Sequence, residues 1–161
     1  MIWETVKSPQ VYSEWVVLLD ILKAKEDDDM VIQVLQKGRI EWQTGVLERF
    51  TRRVTDAINT RINAATDRFQ RDYSKAYGHE GKIVHALLAL RKELLFLIQI
   101  TDLLAIPDEY KKQYRQLIID QADQIQASLE NSAKTDRSGK QASIVRNHKI
   151  NTFKKEMKAN E

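Results

Sequence analysis

Residues 83–106 decide the fold, and they read IVHALLALRKELLFLIQITDLLAI. Within this stretch, residues 94–98 are all apolar and cover a full turn at 3.6 residues per turn, so apolar side chains point in every direction there. A membrane span needs about 20 residues with few or no charges, whereas residues 91–102 alone carry four charged side chains. The stretch therefore predicts the central helix of a helical core, and we expect Leu95 and Ile98 to be buried in it.

The composition favours an all-α protein without disulfides. The 161 residues are enough for one domain with its own core. The absence of cysteine removes disulfides, thiol nucleophiles and thiolate metal ligands together. Valine, isoleucine and threonine form no alternating polar and apolar runs, so strands are not expected. The N-terminal residues show no secretory signal and no membrane span is predicted, and we expect a cytoplasmic protein with no membrane contact.

Apolar residues recur at intervals of three and four in four further segments. Residues 11–25 and 30–38 predict two short helices, residues 41–77 predict the longest helix, and residues 107–132 predict a helix with one apolar face. On that last helix we place Gln126 on the polar face. The pattern predicts an antiparallel helical bundle with two long helices, an outer amphipathic helix and an N-terminal short helical hairpin.

The charge is unevenly distributed along the chain. Residues 1–133 hold 18 basic and 20 acidic side chains, a net −2, whereas residues 134–161 hold 8 and 3, a net +5. We therefore predict a single helical-bundle domain over 1–133 and a basic C-terminal tail over 134–161. The tail is either disordered or a short amphipathic helix with Ile150, Phe153 and Met157 on one face. It remains open whether it stays disordered, docks on its own bundle, or folds on a partner or nucleic acid.

Motifs for catalysis are not found in the sequence. His79, Glu80 and His85 form the cluster that most resembles metal ligands, but their spacing fits neither a zinc helix motif nor a di-iron bundle. The sequence contains no nucleophile beside a base and no phosphate-binding glycine loop. We predict a protein that is not an enzyme and has no cofactor and no metal.

Basic side chains supply the candidate binding residues. Arg61, Arg68 and Lys75 lie seven residues apart on the predicted long helix, where they can follow a phosphate backbone. They can equally form a solvated flank paired with neighbouring acids, and the interspersed aspartates favour the flank. The predicted partner-binding or nucleic-acid-binding residues are Lys140, Arg146, Lys149, Phe153, Lys154, Lys155, Lys158, Arg61 and Arg68.

These observations favour a non-catalytic helical interaction or regulatory protein that binds another macromolecule, with a protein as the partner. The alternative is a nucleic-acid-binding protein that uses the basic tail and the arginines of the long helix. The length of that helix also leaves a homodimer open, with a two-fold axis as the commonest symmetry.

Overall fold

The computed structural model describes residues 9–36, 38, 45–76 and 78–153, and this part of the chain is helical. It contains six α-helices and no strand. They are α1 (Tyr12–Ala24), α2 (Asp28–Leu35), α3 (Val46–Lys75), α4 (Glu80–Leu103), α5 (Asp108–Ala133) and α6 (Lys140–Asn147). The predicted all-α helical bundle is confirmed. None of the described helices is both long enough and apolar enough to span a membrane.

The chain divides into two compact units. Unit 1 comprises Met1–Asn63 and Leu97–Arg115, and unit 2 comprises Ala64–Phe96 and Gln116–Glu161. The helices α3, α4 and α5 each contribute residues to both units, whereas α1 and α2 belong to unit 1 and α6 belongs to unit 2. The predicted domain boundary at residue 133 lies within unit 2 and stays a prediction.

Local sequence explains where several helices begin and end. The Asp27 carboxylate accepts a hydrogen bond from the Met30 N–H at 3.1 Å and thereby caps α2. Gly45 has φ +86°, a left-handed conformation that a right-handed helix cannot contain. The prediction that the long helix runs through Gly45 is therefore wrong, since α3 begins at Val46. The predicted residues 41–44 lie outside the described part of the chain.

The core of unit 1 is built around an aromatic pair from α1 and α3. Trp15 is fully buried, and its ring meets that of Phe50 edge to face with the centroids 5.4 Å apart. Gly38 approaches so closely that a β-carbon there would lie 2.9 Å from Trp15 Cζ2. Other buried residues of this core are Leu18, Leu19, Ile21, Leu22, Val31, Leu35, Val54, Ala57, Ile58, Ile62, Leu97, Ile98, Ile100, Leu104 and Ile106.

The core of unit 2 draws on α3, α4, α5 and the segment that contains α6. Its buried apolar residues are Phe69, Ala76, Ile83, Ala86, Leu87, Leu90, Leu94, Ile118, Ala122, Leu129, Ala133, Ile144, Val145, Ile150 and Phe153. The last four lie in the segment predicted to be a tail, so that segment contributes to the core of this unit.

The central helix is less enclosed than the sequence predicts. Leu94 and Ile98 are buried, but Leu95 is only half-buried and Leu88 is 50% exposed. The expectation that Leu95 is a core residue is wrong. Five consecutive apolar residues cover the whole circumference of a helix, but the elements packed against it cover only part of that circumference.

Candidate macromolecule-binding surface

Arg61 does not lie on an accessible surface. Its side chain is 2% exposed, and its Nη1 and Nη2 atoms donate to Oδ1 and Oδ2 of Asp28, each at 2.9 Å. Nη1 also donates to the carbonyl oxygen of Leu22 at 2.9 Å. A guanidinium held in this way inside unit 1 is not accessible to a phosphate or a partner. The prediction of Arg61 as a binding residue is therefore corrected, since this arginine ties α1 and α2 to α3.

Arg68 lies on an exposed face of α3 in unit 2. Arg71 and Lys75 share this face with it, as does the acidic residue Asp67. The face is therefore of mixed charge with an excess of basic groups. Arg68 remains a candidate binding residue.

The segment predicted as a basic tail packs within unit 2 over its described part. Helix α6 precedes Ile150 and Phe153, so these two residues do not form the predicted helical face, and Met157 lies outside the described residues. Ile150 is fully buried and Phe153 is 2% exposed. The sequence left three alternatives open for this segment. Residues 140–153 follow the second of them, since they dock on the protein's own helices.

Gln126 on α5 holds this segment in place. Its Oε1 accepts a hydrogen bond from the Ile150 N–H at 3.1 Å, and its Nε2 donates to the Val145 carbonyl oxygen at 3.4 Å and to Glu130 Oε1 at 3.2 Å. The side chain is 3% exposed. The assignment of Gln126 to the polar face is therefore wrong, because its amide satisfies backbone groups that would otherwise be buried without partners.

A second set of contacts fixes the end of the described segment. Arg91 on α4 donates through Nη2 to the Thr152 carbonyl oxygen at 2.9 Å, and its guanidinium carbon lies 6.0 Å from the centre of the Phe153 ring. Asn151 Nδ2 donates to Asp123 Oδ1 at 2.8 Å. Phe153 is thus a core residue of unit 2, and its prediction as a partner-binding residue is corrected.

The basic residues of the same segment are on its surface. Lys140, Arg146 and Lys149 are all exposed. Arg146 Nε donates to the carbonyl oxygen of Ala142 within the same helix at 3.3 Å. The remaining predicted binding residues, Lys154, Lys155 and Lys158, lie outside the described part of the chain.

The start of α6 is organised by Asp136. Its carboxylate accepts hydrogen bonds from the Gln141 N–H at 3.0 Å and the Ser138 N–H at 3.1 Å. The bond from the Gln141 N–H, together with those from Ser138, holds the pKa of Asp136 below its ordinary value. This exposed loop presents Lys140 at the first position of α6.

Unit 2 also contains a groove between α3 and α5 that the sequence analysis missed. Its volume is about 450 Å³. From α3 it is lined by Thr66, Phe69, Gln70, Tyr73 and Ser74. From α5 it is lined by Gln121, Gln124, Ile125, Ser128, Leu129 and Ser132. We call this surface the neutral groove, because none of these eleven side chains is charged.

The neutrality of this groove is unusual for an exposed helix surface in this protein. Charged residues make up 30% of the chain and normally occupy the exposed faces of helices. The floor is apolar, with Phe69 5% and Leu129 8% exposed. The rings of Phe69 and Tyr73 lie with their centroids 5.3 Å apart, and the Tyr73 hydroxyl accepts a hydrogen bond from Gln141 on α6. The groove therefore has a fixed aromatic base and uncharged polar walls.

A signal for the groove exists in the sequence. On α5 the lining positions 121, 125, 128 and 132 follow intervals of four, three and four, which place them on one stripe of the helix. Glutamine and serine at such positions read as ordinary solvent-exposed residues. The distinguishing feature is that a stripe of α3 and a stripe of α5 both lack charge. The sequence does not show that these two helices are neighbours, so it does not reveal that the two stripes form one surface.

Within the described residues, no group of three or more histidine, aspartate or glutamate side chains is arranged to hold a metal ion. No protein-family model, no curated protein and no solved structure matches the chain.

Proposed function

We propose that the protein is a non-catalytic helical interaction or regulatory protein, and that its neutral groove binds a protein partner. The observation that carries this proposal is an exposed groove of about 450 Å³ with an aromatic and aliphatic floor and no charged lining residue. Protein interfaces are depleted of charge at their centres and enriched in aromatic residues. Removing water from an amide or a hydroxyl also costs less free energy than removing it from a charged group.

For the architecture, we propose antiparallel packing of α3, α4 and α5, with α1 and α2 as the N-terminal hairpin. The support is the shortness of the connections, since α4 begins five residues after Lys75 and α5 begins five residues after Leu103. The contacts between α1 and α2 support the hairpin. We also propose that the protein is not an enzyme, has no cofactor and is cytoplasmic. These three proposals are supported by the sequence alone.

The test compares two adjacent positions on α5. Ser128 lines the groove and Ala127 does not, although both are exposed. The tagged wild-type chain, the Ser128→Lys variant and the Ala127→Lys variant are each purified from cell extract with and without nuclease treatment, and the bound proteins are identified. We expect at least one protein to be retained by the wild-type chain and by Ala127→Lys and to be lost from Ser128→Lys, because the lysine places an unpaired charge in the interface.

Circular dichroism and thermal unfolding serve as controls that both variants keep the wild-type helical content. Identical sets of bound proteins for Ser128→Lys and Ala127→Lys would contradict the proposal that the groove is the binding surface. A set of partners that disappears only on nuclease treatment would favour the alternative function.

That alternative is nucleic-acid binding, and the charge of unit 2 favours it. Unit 2 holds 14 basic and 10 acidic residues, a net +4, whereas unit 1 holds 12 and 13, a net −1. Lys140, Arg146 and Lys149 are exposed on the packed C-terminal segment of the same unit. Together with Arg68 they supply basic groups that neutralise phosphates.

The alternative is tested by binding to mixed-sequence DNA and RNA at two salt concentrations. If phosphates are contacted, the logarithm of affinity falls with the logarithm of salt concentration by about 0.9 per phosphate on duplex DNA. Replacing Lys140, Arg146 and Lys149 by glutamine then weakens binding and reduces that slope. No detectable binding at low salt would eliminate this function.

A further inference from the structure

We infer that the neutral groove binds a second copy of the same chain, with the α3 and α5 stripes of both copies packed across a two-fold axis. This inference rests on the proposed function and specifies the partner. It follows from three properties of the groove: the absence of charge, the kind of polar groups it carries, and the charged residues that border it.

Binding to a second copy requires an uncharged surface near the two-fold axis, whereas binding to a different protein does not. Across a two-fold axis the same patch is present on both sides, so residues near the axis face themselves. A charged residue there would face an identical charge, which is unfavourable in a surface from which water is excluded. A different partner can offer the opposite charge, so binding to it places no such requirement on the groove.

The polar groups of the groove are also able to pair with themselves. A glutamine amide and a serine hydroxyl each carry both a donor and an acceptor, so Gln124 or Ser128 can hydrogen-bond to the same residue of another copy. A carboxylate only accepts and an ammonium group only donates, so neither can do this. Every polar side chain of the neutral groove is an amide or a hydroxyl.

The neutrality ends at the borders of the groove. On α3, Asp67 directly follows the lining residue Thr66, and Arg71 directly follows Gln70. On α5, Asp120 directly precedes the lining residue Gln121. All three charged side chains are exposed. An uncharged centre with a charged border is the usual composition of a protein interface.

The first experiment measures self-association of the full chain by sedimentation equilibrium and light scattering from micromolar to several hundred micromolar protein. We expect the mass to rise from that of the 18.8 kDa chain toward twice that value. A mass of 18.8 kDa throughout this range would overturn the inference.

Charge variants locate the interface. Ser128→Lys and Ser128→Asp, each alone, are expected to weaken self-association about tenfold or more, because each places like charges on the two sides of the axis. An equal mixture of the two is expected to recover association as a heterodimer. The matched pair Ala127→Lys and Ala127→Asp leaves association unchanged. Equal effects at the two positions, or no recovery in the mixture, would contradict packing of this stripe across a two-fold axis.

Cross-linking supplies an independent test, because the chain has no cysteine and an introduced one can pair only with another copy. Single cysteines at Gln70, Ser74, Gln121, Gln124, Ser128 and Ser132 are oxidised mildly. We expect at least one to form a covalent dimer much faster than Ala127→Cys, since a disulfide requires the two α-carbons to lie within about 7 Å. Dimer formation at none of the six above that control would overturn the inference.

The failure of this inference is distinguishable from failure of the proposed function. If the purified chain is monomeric but Ser128→Lys loses a bound protein that Ala127→Lys retains, the groove binds a different partner. If the chain dimerises through the groove and no other protein depends on Ser128, self-association is the only binding that uses this surface.

Discussion

Replacing Gln126 by alanine tests the central packing argument for unit 2. The substitution removes the acceptor of the Ile150 N–H and the donor to the Val145 carbonyl oxygen, and both residues are fully buried. A buried backbone group left without a partner costs roughly 1–3 kcal/mol. The bond to Val145 is long, at 3.4 Å, so we place its contribution at the lower end of that range. The higher helix propensity of alanine offsets only a few tenths of a kcal/mol.

We therefore expect Gln126→Ala to lower the free energy of unfolding by about 2–4 kcal/mol, which for a chain of this length lowers the melting temperature by roughly 5–15 °C. The matched control is Gln113→Ala, the same substitution on the same helix but outside the neutral groove. Gln113 is exposed, so its replacement is expected to change stability by less than about 0.5 kcal/mol.

The assays are urea unfolding followed by circular dichroism, and hydrogen exchange of the Ile150 amide followed by nuclear magnetic resonance. Gln126→Ala should accelerate exchange at Ile150, because its N–H loses its acceptor. Equal stabilities of the two variants, together with unchanged exchange at Ile150, would refute the assignment of Gln126 as the residue that holds the C-terminal segment.

Three further predictions concern unit 1. Arg61→Met is expected to destabilise the protein by about 2–4 kcal/mol in urea unfolding, because the Asp28 carboxylate, 26% exposed, loses its bidentate partner; a neutral result would mean that this ion pair contributes nothing. Gly38→Ala is expected to cost about 1–3 kcal/mol and to alter the fluorescence of Trp15, because the new β-carbon would lie 2.9 Å from that ring; an unchanged melting temperature would show that the ring moves freely. Burial raises the pKa of the Tyr114 phenol above its ordinary 10.0. The neutral phenol therefore stabilises the folded state fully below pH 10.0, and this contribution to the free energy of unfolding is lost as the pH rises through the folded-state pKa. Tyr114→Phe should reduce this loss of stability at alkaline pH in unfolding experiments. The same dependence of the free energy of unfolding on pH in both proteins would contradict the prediction.

Most of the helical architecture was predictable because its signals are local. Apolar spacing of three and four identified four of the six helices of the described residues, and the uninterrupted apolar run at residues 94–98 identified a fifth. Pro107 marked the start of α5 to within one residue. The error at Gly45 came from treating a single glycine as a tolerated interruption. Its left-handed conformation instead precedes the first residue of α3.

The roles of individual polar residues were harder to predict because their partners are distant in sequence. Arg61 reads as one of a row of exposed basic residues, yet it is buried against Asp28, 33 residues away. Gln126 reads as a polar residue on an outer face, yet its main partner is Ile150, 24 residues away. A polar side chain is placed on the surface by default when its partner is unknown, and helical spacing carries no information about such partners.

The sequence by itself determined the helical class, the approximate helix ends and the separation of charge between the two parts of the chain, because each depends on neighbouring residues. Only the tertiary structure decided that residues 140–153 pack against α4 and α5 and that Phe153 is a core residue. It also decided that uncharged stripes of α3 and α5 line one groove. The physical reason is that helical periodicity defines the faces of each helix but not which face of another helix it will contact.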